Sequence, residues 1–145
     1  MATTSYESLS HSKWDCKYHV VFVPKNRRRM LYGKIREYLG KVFHELAGQK
    51  GCKIIEGHMV QDHVHMLIRI PPKYSVAAIV GYIKGKSAIA VARQFGGRTR
   101  NFNGERLWAR GYAVSTVGFD IDQIRSYVKK QEQLDFLGVN EDGNF

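Results

Sequence analysis

Residues 53–60 and 63–70 are two strand-like runs separated only by Gln61-Asp62 and closed by Pro71-Pro72. So short a gap admits only a tight turn, which predicts a hairpin. In the second run, His63-Val64-His65-Met66-Leu67-Ile68, successive side chains point to opposite faces of a strand. His63 and His65 therefore share one face, while Val64, Met66 and Ile68 point into a core. That geometry offers two imidazole nitrogens to one metal ion on a rigid support. It also suits two polar residues on the solvated face of an amphipathic strand, so the surrounding motifs must decide.

The rest of the chain supplies a frame for this hairpin. Residues 16–23 are rich in Val, Tyr and Phe and read as a strand ended by Pro24, followed by a basic loop over 25–29. From 31 to 49, Leu31, Ile35, Tyr38, Leu39, Val42 and Leu46 follow a helical stripe, with Gly51 at the exit. Ser75 is a good N-cap for a second helix reaching Phe95, with Val76, Ile79, Val80, Ile83 and Val91 inward. Residues 96–104 read as an exposed loop, 112–117 as a strand, and Asp120 as the cap of a last helix running to about 136, with Ile124 and Val128 on its buried stripe. The order strand, helix, strand, strand, helix, strand, helix predicts an α+β fold. It is the ferredoxin-like or RNA-recognition-type antiparallel sheet, with helices on one face and an extra C-terminal helix. Residues 1–145 are expected to form one domain, with an ordered core over about 12–136 and a frayed polar tail over 137–145.

Charge narrows the partners. Lys and Arg number 23 against 13 Asp and Glu, a formal charge of +10. Such a bias favours phosphate-rich partners. No apolar run approaches the roughly 20 residues that span a bilayer, and no secretory signal is visible, so nucleic acid is the expected partner and no membrane is. Cys16 and Cys52 lack C-x-x-C spacing and read as free thiols of a reducing compartment, which predicts a cytoplasmic protein. Candidate phosphate contacts are Arg27, Arg28, Arg29, Lys84, Lys86, Arg93, Arg98 and Arg100, with Tyr32, Phe102 and Trp108 near enough in sequence to stack on bases. A basic run can equally be a solvated face. Residues 81–87 (GYIKGKS) superficially suggest a phosphate-binding loop, but have one residue too few between the glycines and lie inside a helical pattern, so no nucleotide cofactor is expected. His11, His19, His44 and His58 show no partner spacing and read as structural.

The last helix carries Tyr127 and Gln131 at i and i+4, on the flank of its apolar stripe. A tyrosine oxygen can attack a phosphodiester, and an amide oxygen can complete a metal shell beside two imidazoles. An interfacial tyrosine with a wet polar tip fits the same spacing. Asp62 reads as a turn residue, with an orienting carboxylate beside His63 as the alternative.

Taken together, residues 62–68 (DHVHMLI), 107–118 (LWARGYAVSTVG) and 124–132 (IRSYVKKQE) resemble the single-tyrosine HUH transposases of the IS-two-hundred/IS-six-hundred-and-five insertion sequences. The likeness runs from the first strand through the last helix. It implies that His63 and His65 bind a divalent ion, Mg²⁺ or Mn²⁺, with Gln131 as third protein ligand and Tyr127 as nucleophile. It further implies cleavage and rejoining of single-stranded DNA at hairpin-marked element ends through a 5′-phosphotyrosine. The implied assembly is a homodimer whose active sites combine the histidines of one subunit with the tyrosine helix of the other, with Gly118 as a joint before that helix. The donor set alone would equally suit Zn²⁺. Competing functions are a domesticated nickase or strand transferase with the same chemistry, and a non-catalytic nucleic-acid binder on an RNA-recognition-type sheet.

Overall fold

The computed structural model describes residues 7–9, 12–95, 107–116, 121–131 and 144–145. Its centre is an antiparallel four-stranded sheet. β3 (Lys17–Phe22) and β5 (His63–Arg69) lie inside, flanked by β4 (Lys53–Val60) and β6 (Ala113–Ser115), in the order β4-β5-β3-β6. Two short strands, β1 (Glu7–Leu9) and β2 (Ser12–Trp14), form a separate hairpin ahead of it. The helices are α1 (Gly33–Gln49), α2 (Val76–Phe95) and α3 (Ile121–Gln131). The predicted split βαβ order is present, with the two-histidine strand in the interior of the sheet.

Alternation sorts the sheet into two faces. Val20 and Phe22 of β3, Ile54 of β4, and Val64, Met66 and Ile68 of β5 point to one side. There they join Leu39, Phe43 and Leu46 of α1 with Ile79, Ile83 and Val91 of α2 in a single core. Trp108 completes it by packing edge-on against Phe22 at 4.8 Å between ring centroids, its indole N–H donating to Ser87 Oγ at 3.0 Å. α2 starts where the sequence places its cap, since Ser75 Oγ accepts the Ala78 N–H at 3.0 Å. α1 begins two residues later than the apolar stripe suggests. Leu31 is buried but lies ahead of the helix, its N–H donating to Gln61 O at 3.1 Å, and the helix enters through Gly33 at φ +61°.

The chain's last residues depart from the expected frayed tail. Phe145 exchanges both backbone hydrogen bonds with Gly57 on β4, at 2.8 and 3.2 Å, and its ring stacks at 5.6 Å from Phe43. An aromatic side chain that finds an apolar seat on a sheet edge overrides the polar composition around it. Residues 132–143 lie outside the described set, as does the expected loop 96–104.

Candidate active site

The second sheet face, away from α1 and α2, carries the histidines. In the β-register His65 pairs with His58 on one side and Val21 on the other, and Val60 pairs with His63. Paired residues share a face, and so do residues two apart, so His19, His58, His63 and His65 all project from this surface. Pairing across strands, which no local spacing reveals, draws His19 and His58 into the site.

Each histidine of the central pair is held by a different neighbour. His63 Nδ1 lies 3.1 Å from Asp62 Oδ1, and both side chains are buried. The carboxylate takes the Nδ1–H, which assigns the tautomer with its lone pair on Nε2. Asp62 is thus both things the sequence allowed, a turn residue and an orienting carboxylate. His65 Nε2 and His19 Nδ1 share a hydrogen bond of 3.1 Å. Burial lowers the His65 pKa to about 4, assisted by the charges of His19, His63 and His58. The ring is consequently neutral at physiological pH, the form that donates to a metal. His19, His58 and His65 with Glu56 and Asn144 line a cavity of about 160 Å³.

The donor chemistry fits a divalent ion. Two imidazoles on one strand face, one oriented by a carboxylate and one kept neutral, suit a divalent transition ion such as Zn²⁺. Among the described residues no group of three or more His, Cys, Asp or Glu side chains could hold a metal. Gln131 ends α3, and its side chain lies outside the described set.

Tyr127 sits near the middle of α3, half-buried, beside the fully buried Val128. Its hydroxyl is buried and has no hydrogen-bond partner among the described residues. Burial raises its pKa to about 12. α3 packs against the 3-10 turn Lys25–Arg27, which follows β3.

A profile described as "Transposase IS200 like" matches residues 12–131. The chain belongs to the IS200-like transposase family. The transposase is 42% identical over 132 residues to the Salmonella typhimurium strain LT2 transposase for insertion sequence element IS200, covering 91% of this chain and 87% of that one. A crystal structure from Deinococcus radiodurans R1, provisionally named a transposase, superposes with TM-score 0.78 at 24% identity, over 87% of this chain and 98% of that one. A tyrosine transposase bound to a REP hairpin superposes with TM-score 0.53 at 13% identity, over 85% of this chain and 68% of that one. Both superpositions support the fold.

The basic residues of the transposase separate into different roles. Arg28, Arg29, Lys86 and Arg93 are exposed, as a phosphate contact must be. Arg27 departs from the expectation: it is 3% exposed and its Nε lies 3.5 Å from Asp62 Oδ2. Lys84 also turns inward, donating to Ala109 O at 2.8 Å and Gly111 O at 2.6 Å, and burial lowers its pKa to about 8. It ties the segment before β6 to α2 instead of presenting its charge to a ligand. Arg98, Arg100, Phe102 and Gly118 lie outside the described residues. No helix among the described residues is long and apolar enough to cross a membrane.

Proposed function

We propose that this transposase cuts and rejoins single-stranded DNA at hairpin-marked ends through a covalent bond to Tyr127. The observation that carries the reading is a pair of strand-borne imidazoles, one oriented by Asp62, in a chain whose α3 holds a buried tyrosine hydroxyl with no partner among the described residues. A buried donor left unsatisfied costs about 1–3 kcal/mol, and such costs concentrate where a substrate supplies the missing partner.

In this reading the Tyr127 oxygen attacks the scissile phosphorus. The O–P bond to tyrosine forms as the P–O3′ bond breaks, leaving a 3′-hydroxyl and a 5′-phosphotyrosine. The phenol proton leaves to solvent, and the departing 3′ oxygen takes one up. Phosphodiester energy is kept in the protein–DNA link, so another 3′-hydroxyl can reverse the attack and join strands without a nucleotide cofactor. A divalent ion, Mn²⁺ or Mg²⁺, held by His63 and His65 with Gln131, would polarise the phosphate and offset the charge that develops on it. Asp62 keeps the Nε2 lone pair of His63 aimed outward from its own contact, and burial keeps His65 unprotonated. Arg28, Arg29, Lys86 and Arg93 supply exposed positive charge to the DNA backbone. The hairpin carried by the superposed tyrosine transposase supports a hairpin as substrate. The working form is a homodimer whose sites join the histidines of one subunit to α3 of the other, acting in the cytoplasm.

The test incubates the protein with labelled single-stranded hairpin DNA and Mn²⁺ or Mg²⁺, then denatures it. A denaturation-resistant adduct that disappears on adding chelator and in His63→Ala supports the reading. Hairpin binding with no adduct under either ion contradicts it and leaves a non-catalytic binder.

A further inference from the structure

Arg27 is the one arginine of the basic run that does not face solvent. Its side chain, those of Asp62 and His63, and the contacts between them form a buried series. Arg27 Nε approaches Asp62 Oδ2 at 3.5 Å, and Asp62 Oδ1 meets His63 Nδ1 at 3.1 Å. Arg27, Asp62 and His63 are 3%, 4% and 7% exposed. Burying a carboxylate is costly unless a countercharge accompanies it, and Arg27 supplies one.

The backbone is bent to achieve this. Asn26 and Arg27 both adopt left-handed conformations, at φ 59° and 49°. Asparagine tolerates that region, whereas arginine there is strained. Arg28, just beyond the kink at φ −61°, is exposed. The kinked turn is pinned on several sides: Lys25 N–H donates to Leu107 O at 2.9 Å, Arg27 N–H to Pro24 O at 2.8 Å, and Leu31 N–H to Gln61 O, beside Asp62, at 3.1 Å. α3 also packs against it. A strained arginine held at a fixed point and aimed at a ligand-orienting carboxylate is costly as mere decoration of a turn.

We infer that Arg27 is a positioning residue of the metal site, holding Asp62 so that His63 presents Nε2 to the ion, and that it does not bind DNA. The inference rests on the metal-dependent reading of His63 and His65. Losing an outer partner of a metal-bound histidine typically weakens metal binding about 10- to 100-fold. Arg27→Met should therefore weaken Mn²⁺ binding by that factor in calorimetric titration. Nitrogen couplings in the pulsed-EPR spectrum of bound Mn²⁺ should fall from two imidazoles to one, and Arg27→Lys should recover part of the affinity. The salt slope of hairpin binding should stay unchanged, because no phosphate contact is lost. Arg27→Met strands a buried carboxylate, so Arg27→Met/Asp62→Asn, which removes both charges, decides the matter if the single variant does not fold. A folded variant of either kind with wild-type Mn²⁺ affinity and two imidazole couplings overturns the inference. So does a salt slope reduced by about one. If His63→Gln weakens Mn²⁺ binding while the Arg27 variants do not, this inference alone fails. If His63→Gln leaves Mn²⁺ binding intact, the metal-site reading fails with it.

Discussion

Replacing Tyr127 by phenylalanine should make the protein more stable while abolishing its chemistry. The hydroxyl is shielded from solvent and has no hydrogen-bond partner among the described residues, so folding removes its water without replacement. An unsatisfied buried polar group costs about 1–3 kcal/mol, and because Tyr127 is only half-buried the low end applies, about 1 kcal/mol recovered on Tyr127→Phe. For a chain of this size that is a rise in Tm of about 2–4 °C. A pH signature accompanies it. Burial raises the Tyr127 pKa from 10.0 to about 12, so above pH 10 the unfolded chain releases a proton that the folded one retains. Wild-type stability therefore declines as pH rises from about 10 to about 12, and that part of the decline is missing in Tyr127→Phe. Urea denaturation of both proteins at pH 8 and across pH 9.5–11 reads both effects. A Tyr127→Phe protein less stable than wild type at pH 8, or one with an unaltered alkaline slope, would show that the hydroxyl is not an uncompensated buried group.

Lys84→Met should cost about 1–3 kcal/mol, since the Lys84 ammonium holds Ala109 O and Gly111 O, and should loosen residues 107–112 in hydrogen exchange while leaving the salt slope of hairpin binding unchanged. Removing Asn144 and Phe145 should lower stability by about 1–2 kcal/mol, because the Phe145 ring and its two backbone hydrogen bonds to Gly57 are lost. Gly57→Ala should have little further effect in the truncated chain, because the three atoms nearest the added Cβ all belong to the Phe145 ring; a chemical-denaturation cycle showing additive losses would contradict this seat. Mixing His63→Ala with Tyr127→Phe should restore about a quarter to a half of the adduct if sites are shared between subunits, whereas independent single-chain sites would yield none.

The sequence was most readable where hydrophobic period and punctuation agree. β4 has its expected bounds of 53–60, β5 begins at His63, and α2 starts behind the Ser75 cap, because each combines a clear period with a turn or cap residue at its edge. β1 and β2 escaped notice because three-residue strands are too short to show alternation. The site was legible in its local parts only. His63 and His65 announce themselves by being two apart, but His19 reaches His65 across 46 positions through strand register. Arg27 was misleading for a related reason. A run of three arginines reads as solvated charge, and only the left-handed kink and Asp62, 35 positions on, turn the first of them inward. Lys84 was misassigned likewise, since its acceptors are backbone carbonyls that carry no sequence signature. Phe145 lies at the end of a polar stretch, and its seat opposite Gly57 exists only once β4 is formed.

Peptide mapping of the protein–DNA adduct by mass spectrometry locates the covalent bond. The denatured complex is digested with nuclease and protease, and the remaining nucleotide is located on the peptide chain. A 5′-phosphonucleotide carried by Tyr127, formed only with a divalent ion and absent from His63→Ala, is expected. A nucleotide on any other residue, or a product cut from the DNA with no protein-linked nucleotide at any time, would contradict it.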